Sequence, residues 1–183
     1  MGSDARVRYT KMAIKNSLMT LLKEKPLNKI TVKELCQLSE INRATFYKYY
    51  CDVFDLVKKL EQDFLDELTN HIQGNPQRNF RETFKAILVN LKADGELYQT
   101  LFSDNGDKAF PNRILSLGYE NSLMEQDERF GSLTTTQRKW LYYFVAQGCC
   151  GILEQWLSNG LTEPIDEVAD FADGLLQNIF KCI

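Results

Sequence analysis

Between Thr31 and Tyr50 the chain sets out, at short and regular spacing, side chains suited to reading DNA. Arg43 can fork onto guanine, Thr45 offers a methyl and a hydroxyl to a thymine or a phosphate, and Tyr47, Lys48 and Tyr49 carry donors for backbone oxygens. Thr31, Lys33, Asn42 and Ala44 complete the expected set of DNA contacts. Phe46 interrupts this polar series, so it is expected to anchor the segment to a core, with Tyr50 as a second peg.

Catalytic chemistry is poorly represented by comparison. The single histidine, His71, has no cysteine or acid arranged around it and is expected to cap a helix end at the surface. No nucleophile-base pair, phosphate loop or metal-ligand spacing is present, so no enzyme activity, catalytic residue, metal or cofactor is expected. Five cysteines, an odd number, suit a reducing compartment. Cys36 falls on the inner face of a short helix, and the neighbours Cys149 and Cys150 point to different sides of theirs.

Two short helices must carry the DNA-reading residues. Thr31 with Glu34 three residues on forms a capping box, Leu35 and Leu38 follow at helical spacing, Ser39-Glu40 breaks the pattern, and Asn42 caps a second helix from Arg43 to Lys48. This is a helix-turn-helix, in which the second helix lies in the major groove. A helix from about Arg6 to Glu24, ending before Pro26, completes a three-helix head. Charge agrees with this division. Residues 1–50 hold ten Lys/Arg against four Asp/Glu, a net of +6, whereas the remainder holds 12 against 21; the overall −3 therefore conceals a basic head on an acidic body. A polyanion attracts the first and repels the second.

The rest of the chain is also helical, and the fold class expected is all-α with about nine helices. Asp52 and Asp55 start a connecting helix over 52–73 whose apolar stripe runs from Val53 to Ile72 and stops at Gly74-Asn75-Pro76. At roughly 30 Å it is long enough to leave the head, giving a DNA-binding domain over 1–51 and a helical regulatory and dimerisation domain over 52–183. Further helices are expected at about 79–92, 95–103 and 108–126, then from Thr135, capped by Thr134 and Gln137, to a stop at Gly160, and finally after Pro164. No apolar run approaches the ~20 residues needed to cross a bilayer and no signal peptide opens the chain, so a cytoplasmic protein without membrane contact is expected.

The run Ser39-Glu40-Ile41-Asn42-Arg43-Ala44-Thr45-Phe46-Tyr47-Lys48-Tyr49-Tyr50 resembles the reading helix of the TetR/AcrR family of bacterial transcriptional regulators. Glu40 stands at the family's turn glycine, and Val53 where many members carry a phosphate-contacting lysine. The stretches Tyr142–Leu157 and Glu96–Phe102 are similar to a Firmicutes-type C-terminal domain of that family, in the subgroup of the dihydroxyacetone kinase gene activator. The resemblance implies a homodimeric repressor bound to a palindromic operator on double-stranded DNA and released by a small-molecule effector. The alternative it leaves open is a coactivator that works through protein contacts with weak or no DNA binding.

Two further sets of residues follow from it. Phe84, Tyr98, Phe102, Trp140, Tyr143 and Phe144 are candidates to line an effector pocket. Val168, Ala172, Leu175 and Ile179 make a seam at spacings of three and four on the last helix; with Gly148, Gly151 and Ile152 they are candidates for the dimer interface.

Overall fold

A computed structural model of the protein describes residues 2–74, 79–107, 110–111, 113–114 and 132–181, the side chains of 2–4 and 71–74 apart. Eight α-helices and one 3-10 turn have both ends among these residues, which contain no strand. They are α1 (Gly2–Glu24), the 3-10 turn Leu27–Lys29, α2 (Val32–Leu38), α3 (Arg43–Tyr47) and α4 (Val53–Gly74). After these come α5 (Phe80–Ala93), α6 (Gly95–Leu101), α7 (Thr135–Ser158) and α8 (Ile165–Lys181). The helix expected over 108–126 lies largely outside the described residues, as does the side chain of His71; Phe110, Pro111, Arg113 and Ile114 are helical.

The chain forms two compact units. Unit 1 comprises residues 1–63 together with 100–108; unit 2 comprises 64–99 and 109–183. The first half of α4 belongs to the head because Val53, Leu56 and Val57 are buried there with Ile14, Leu18, Leu22, Leu35 and Phe46. Val53, which stands at the family's lysine position, is thus a core residue.

Helix ends follow local chemistry. Asp55 N–H donates to Asp52 Oδ1 and Cys51 N–H to Asp55 Oδ2, both at 2.8 Å, so α4 starts on a reciprocal pair of carboxylate caps. Thr134 and Gln137 form the expected capping box at α7. Asn79, whose side chain accepts from Glu82 N–H, caps α5. At the far end of α7, Gly160 has φ +82° and Leu161 N–H closes back on Trp156 O. Leu161 follows in the left-handed region at φ +59°, and a β-carbon at Gly95 would displace its side chain.

In unit 2, α8 packs chiefly on α5 and also on α7. Leu88 and Leu91 of α5, Leu153 and Trp156 of α7, and Val168, Ala169, Ala172 and Leu176 of α8 are buried. Phe64, Tyr98 and Phe110 make an aromatic cluster with centroids 4.9–6.3 Å apart, and the Arg113 guanidinium lies over Phe110. Arg81 donates to Glu82, Asp166 and Asp170, and Lys85 also reaches Asp166, tying the start of α5 to the start of α8.

Candidate nucleic-acid interface

The head is built on capped, very short helices. Thr31 Oγ1 accepts from Glu34 N–H while Glu34 Oε2 accepts from Thr31 N–H at 3.0 Å. Lys25, just past the end of α1, pairs with the other oxygen of the same carboxylate. These bonds hold the Glu34 carboxyl down at about 2, the Lys25 ammonium contributing most and Thr31 next. One acid of the basic head is thereby neutralised in place, and α2 is tied to the end of α1.

A tight turn follows. Glu40 adopts φ +54° and Ile41 N–H reaches back to Cys36 O at 3.0 Å, the closure that ends helices with a left-handed residue. Glycine is favoured at such a position, so Glu40 carries the strain its place in the turn implies. Cys36 is buried beneath the turn, and burial pushes its thiol upward.

Asn42 Oδ1 accepts from Thr45 N–H at 2.7 Å and starts α3. The helix puts its neighbours on two sides. Phe46 is wholly buried, with the Tyr50 ring 5.5 Å away and the Tyr47 ring at its edge. Burial, with Asp63 and Asp55 nearby, pushes the Tyr50 phenol to about 12, so it stays neutral. On the other side Asn42, Arg43, Ala44, Tyr47 and Lys48 face solvent, Tyr47 with 56% of its surface free; Thr45 and Tyr49 are half-buried. Thr31, the cap of α2, and Lys33 within it are also exposed. All nine expected contact residues therefore lie on α2, on α3 or in the turns flanking them, with the aromatic pegs beneath.

Lys59 was not among them, and it holds this surface to α4. Its ammonium donates to Tyr49 O at 2.8 Å and to Asp55 Oδ2 at 2.9 Å, and lies 5.4 Å from the Tyr50 ring centroid. The pairing with Asp55, four residues earlier, was legible in sequence. Its reach to Tyr49 O, ten residues away, was not.

The six residues expected to line a pocket divide instead of converging. Phe84 and Tyr98 are packed in the core of unit 2, and Phe102 is half-buried. Trp140, Tyr143 and Phe144 are 68, 64 and 66% exposed on α7 and do not join Phe84 and Tyr98 in the core. Helix rotation explains this, because Tyr142, Ala146, Cys150 and Leu153 occupy the inward face of α7. The aromatic side chains that do cluster with Tyr98 are Phe64 and Phe110, which sequence reasoning missed.

The residues of the expected seam on α8 also differ in exposure. Val168 and Ala172 are buried within the chain, and the exposed apolar residues of α8 are Phe171 and Leu175, with Ile179 half-buried. On α7, Gly148 and Gly151 are exposed with open space where a β-carbon would stand, and Ile152 is half-buried. Cys149 and Cys150 are raised to about 11 and about 12 by burial, Cys150 facing Pro111 O; both are poor thiolates.

Comparison with known proteins places these features. A family model for the C-terminal region of transcriptional regulators of TetR type matches residues 78–178. An HTH-type transcriptional regulator of Bacillus subtilis strain 168, YxbF, is 31% identical over 55 residues; the match spans 30% of this chain and only 14% of that protein. Among solved structures, a TetR transcriptional regulator from Streptococcus agalactiae 2603V superposes with a TM-score of 0.65 at 24% identity, over 94% of this chain and 96% of that one. A TetR-family regulator from Syntrophomonas wolfei gives 0.71 at 18%, over 94% and 95%. The dihydroxyacetone kinase operon activator DhaS gives 0.61 at 19%, over 95% and 97%. With its matched C-terminal region, its all-helical fold and its capped helix-turn-helix, the chain belongs to the TetR family of transcriptional regulators, a family of regulators and not of enzymes.

Proposed function

We propose that the protein is a cytoplasmic homodimeric repressor that grips a palindromic operator with two copies of the α2–α3 head and is released by a small-molecule effector. One observation carries the DNA reading. Helix α3 is locked from below by Phe46 and Tyr50, and it leaves Arg43, Ala44, Tyr47 and Lys48 free on the solvent side. Arg43 and Ala44 read base edges, while Tyr47, Lys48 and Tyr49 with Thr31 and Lys33 hold phosphates. Asn42 and Thr45 complete the contact surface, though the Asn42 carbonyl is already committed to its cap.

The exposed apolar residues of α7 and α8 support the dimer. Trp140, Phe144, Gly148 and Gly151 follow at spacings of four, four and three along one face of α7; Phe171 and Leu175 lie one turn apart on α8. Large rings left in water at this density favour burial against a second copy, and the bare glycines let its helix approach. The aromatic cluster of Phe64, Tyr98 and Phe110 is the region of unit 2 assigned to an effector, with Phe84 of the same unit as a further candidate.

Selection of bound duplexes from a random pool at low salt tests the proposal directly. A recovered palindrome whose binding is lost in Arg43→Ala and Tyr47→Ala supports it. A second reading, a coactivator that contacts another protein, is favoured by the burial of Val53 at the family's lysine position and by the strained Glu40. Its expected outcome is that no duplex is enriched.

A further inference from the structure

The segment after α6 belongs by packing to the DNA-reading unit, although it is far from it in sequence. Its residue Asn105 meets two backbone groups at the junction of α1 and α2. The Asn105 side-chain amide donates to Leu22 O at 2.9 Å, a carbonyl in the last turn of α1, across 83 residues of chain. The Asn105 backbone carbonyl accepts from Leu27 N–H at 2.9 Å. Leu27 opens the 3-10 turn after Pro26, where no side chain caps it. One residue thus satisfies an orphan acceptor and an orphan donor on either side of Pro26.

The loop is shaped to present it. Ser103 Oγ donates to Thr100 O and Gly106 N–H to Ser103 O, and a β-carbon at Gly106 would stand 2.0 Å from Leu101 O. Four residues beyond Leu27 lies Thr31, the cap of α2, and Lys25 of the same junction holds Glu34. The entry angle of α2, and through it that of α3, is therefore set from both sides of Pro26.

We propose that Asn105 is a positioning residue for DNA reading: by clamping the α1–α2 junction it makes the geometry of the reading head depend on the end of α6. This rests on the DNA-binding role proposed above. The last residues of α6 and the loop that carries Asn105 lie in unit 1 with the junction they clamp.

The test uses the full chain and a duplex selected by the unsubstituted protein. Asn105→Ala and Asn105→Asp, which cannot donate to Leu22 O, are expected to weaken that duplex about five- to tenfold, with the slope of affinity against salt unchanged because no phosphate contact is removed. Gly106→Ala, which must displace the loop, reproduces the effect. Hydrogen exchange supplies the readout that a general loss of stability does not move. By reciprocity, duplex binding slows exchange in Ser103–Asp107 of the unsubstituted protein, and in Asn105→Ala that protection is lost while α3 remains protected. Wild-type affinity in both Asn105 variants, or undiminished loop protection in Asn105→Ala, overturns the positioning role alone. Absence of any duplex binding by the unsubstituted protein overturns the DNA reading and the positioning role with it.

Discussion

At the scale of single residues, the head balances strain against capping. Glu40 holds a left-handed backbone that glycine adopts without penalty, so Glu40→Gly is expected to raise the stability of the head by about 1 kcal/mol, read as a higher urea midpoint. Glu34 works in the opposite direction. Its folded-state value of about 2 lies below the usual 4.5, so its contribution is complete above pH 4.5 and is lost as the pH falls through 2. Urea midpoints measured from pH 6 to pH 2 should fall less steeply for Glu34→Gln than for the unsubstituted protein. Phe46 is wholly buried, and Phe46→Ala should cost about 3–5 kcal/mol, enough to unfold the head before DNA contact is tested. Most of this was legible in sequence, because a capping box, an Asx cap and an aromatic peg act over three to five residues. The role of Asn105 was not legible, since no local pattern announces a bond spanning 83 residues.

Among elements, the pairing of α5 with α8 shows which force dominates. Arg81 joins three carboxylates, but its partners Asp166 and Asp170 are largely in water, so Arg81→Ala should shift the urea midpoint only slightly, and less in high salt. Leu88 of α5 is wholly buried; Leu88→Ala should cost about 2–5 kcal/mol, insensitive to salt. Denaturation of both variants in low and high salt separates the two contributions. Helix existence was readable from periodicity and caps throughout the described residues. Helix rotation was not, because α7 and α8 are apolar on more than one side: sequence alone put Val168 and Ala172 in a seam between copies, and the structure buries them inside the chain.

For the whole molecule, the exposed rings of α7 bear on assembly. Trp140→Glu with Phe144→Glu should give a monomer in sedimentation and lower operator affinity by well over tenfold, since a single head makes half the contacts. A sedimenting dimer in that variant would move the interface elsewhere. The sequence by itself determined the helices, their caps, the basic head and the residues α3 can offer to a groove, because these depend on neighbours within a turn or two and on charge. Only the tertiary structure decided which faces of α7 and α8 are spent inside the chain, that half of α4 and the loop after α6 belong to the reading unit, and that Val53 is core. Those outcomes depend on which apolar surfaces meet across long stretches of chain, and burial is non-directional, so no local pattern specifies them.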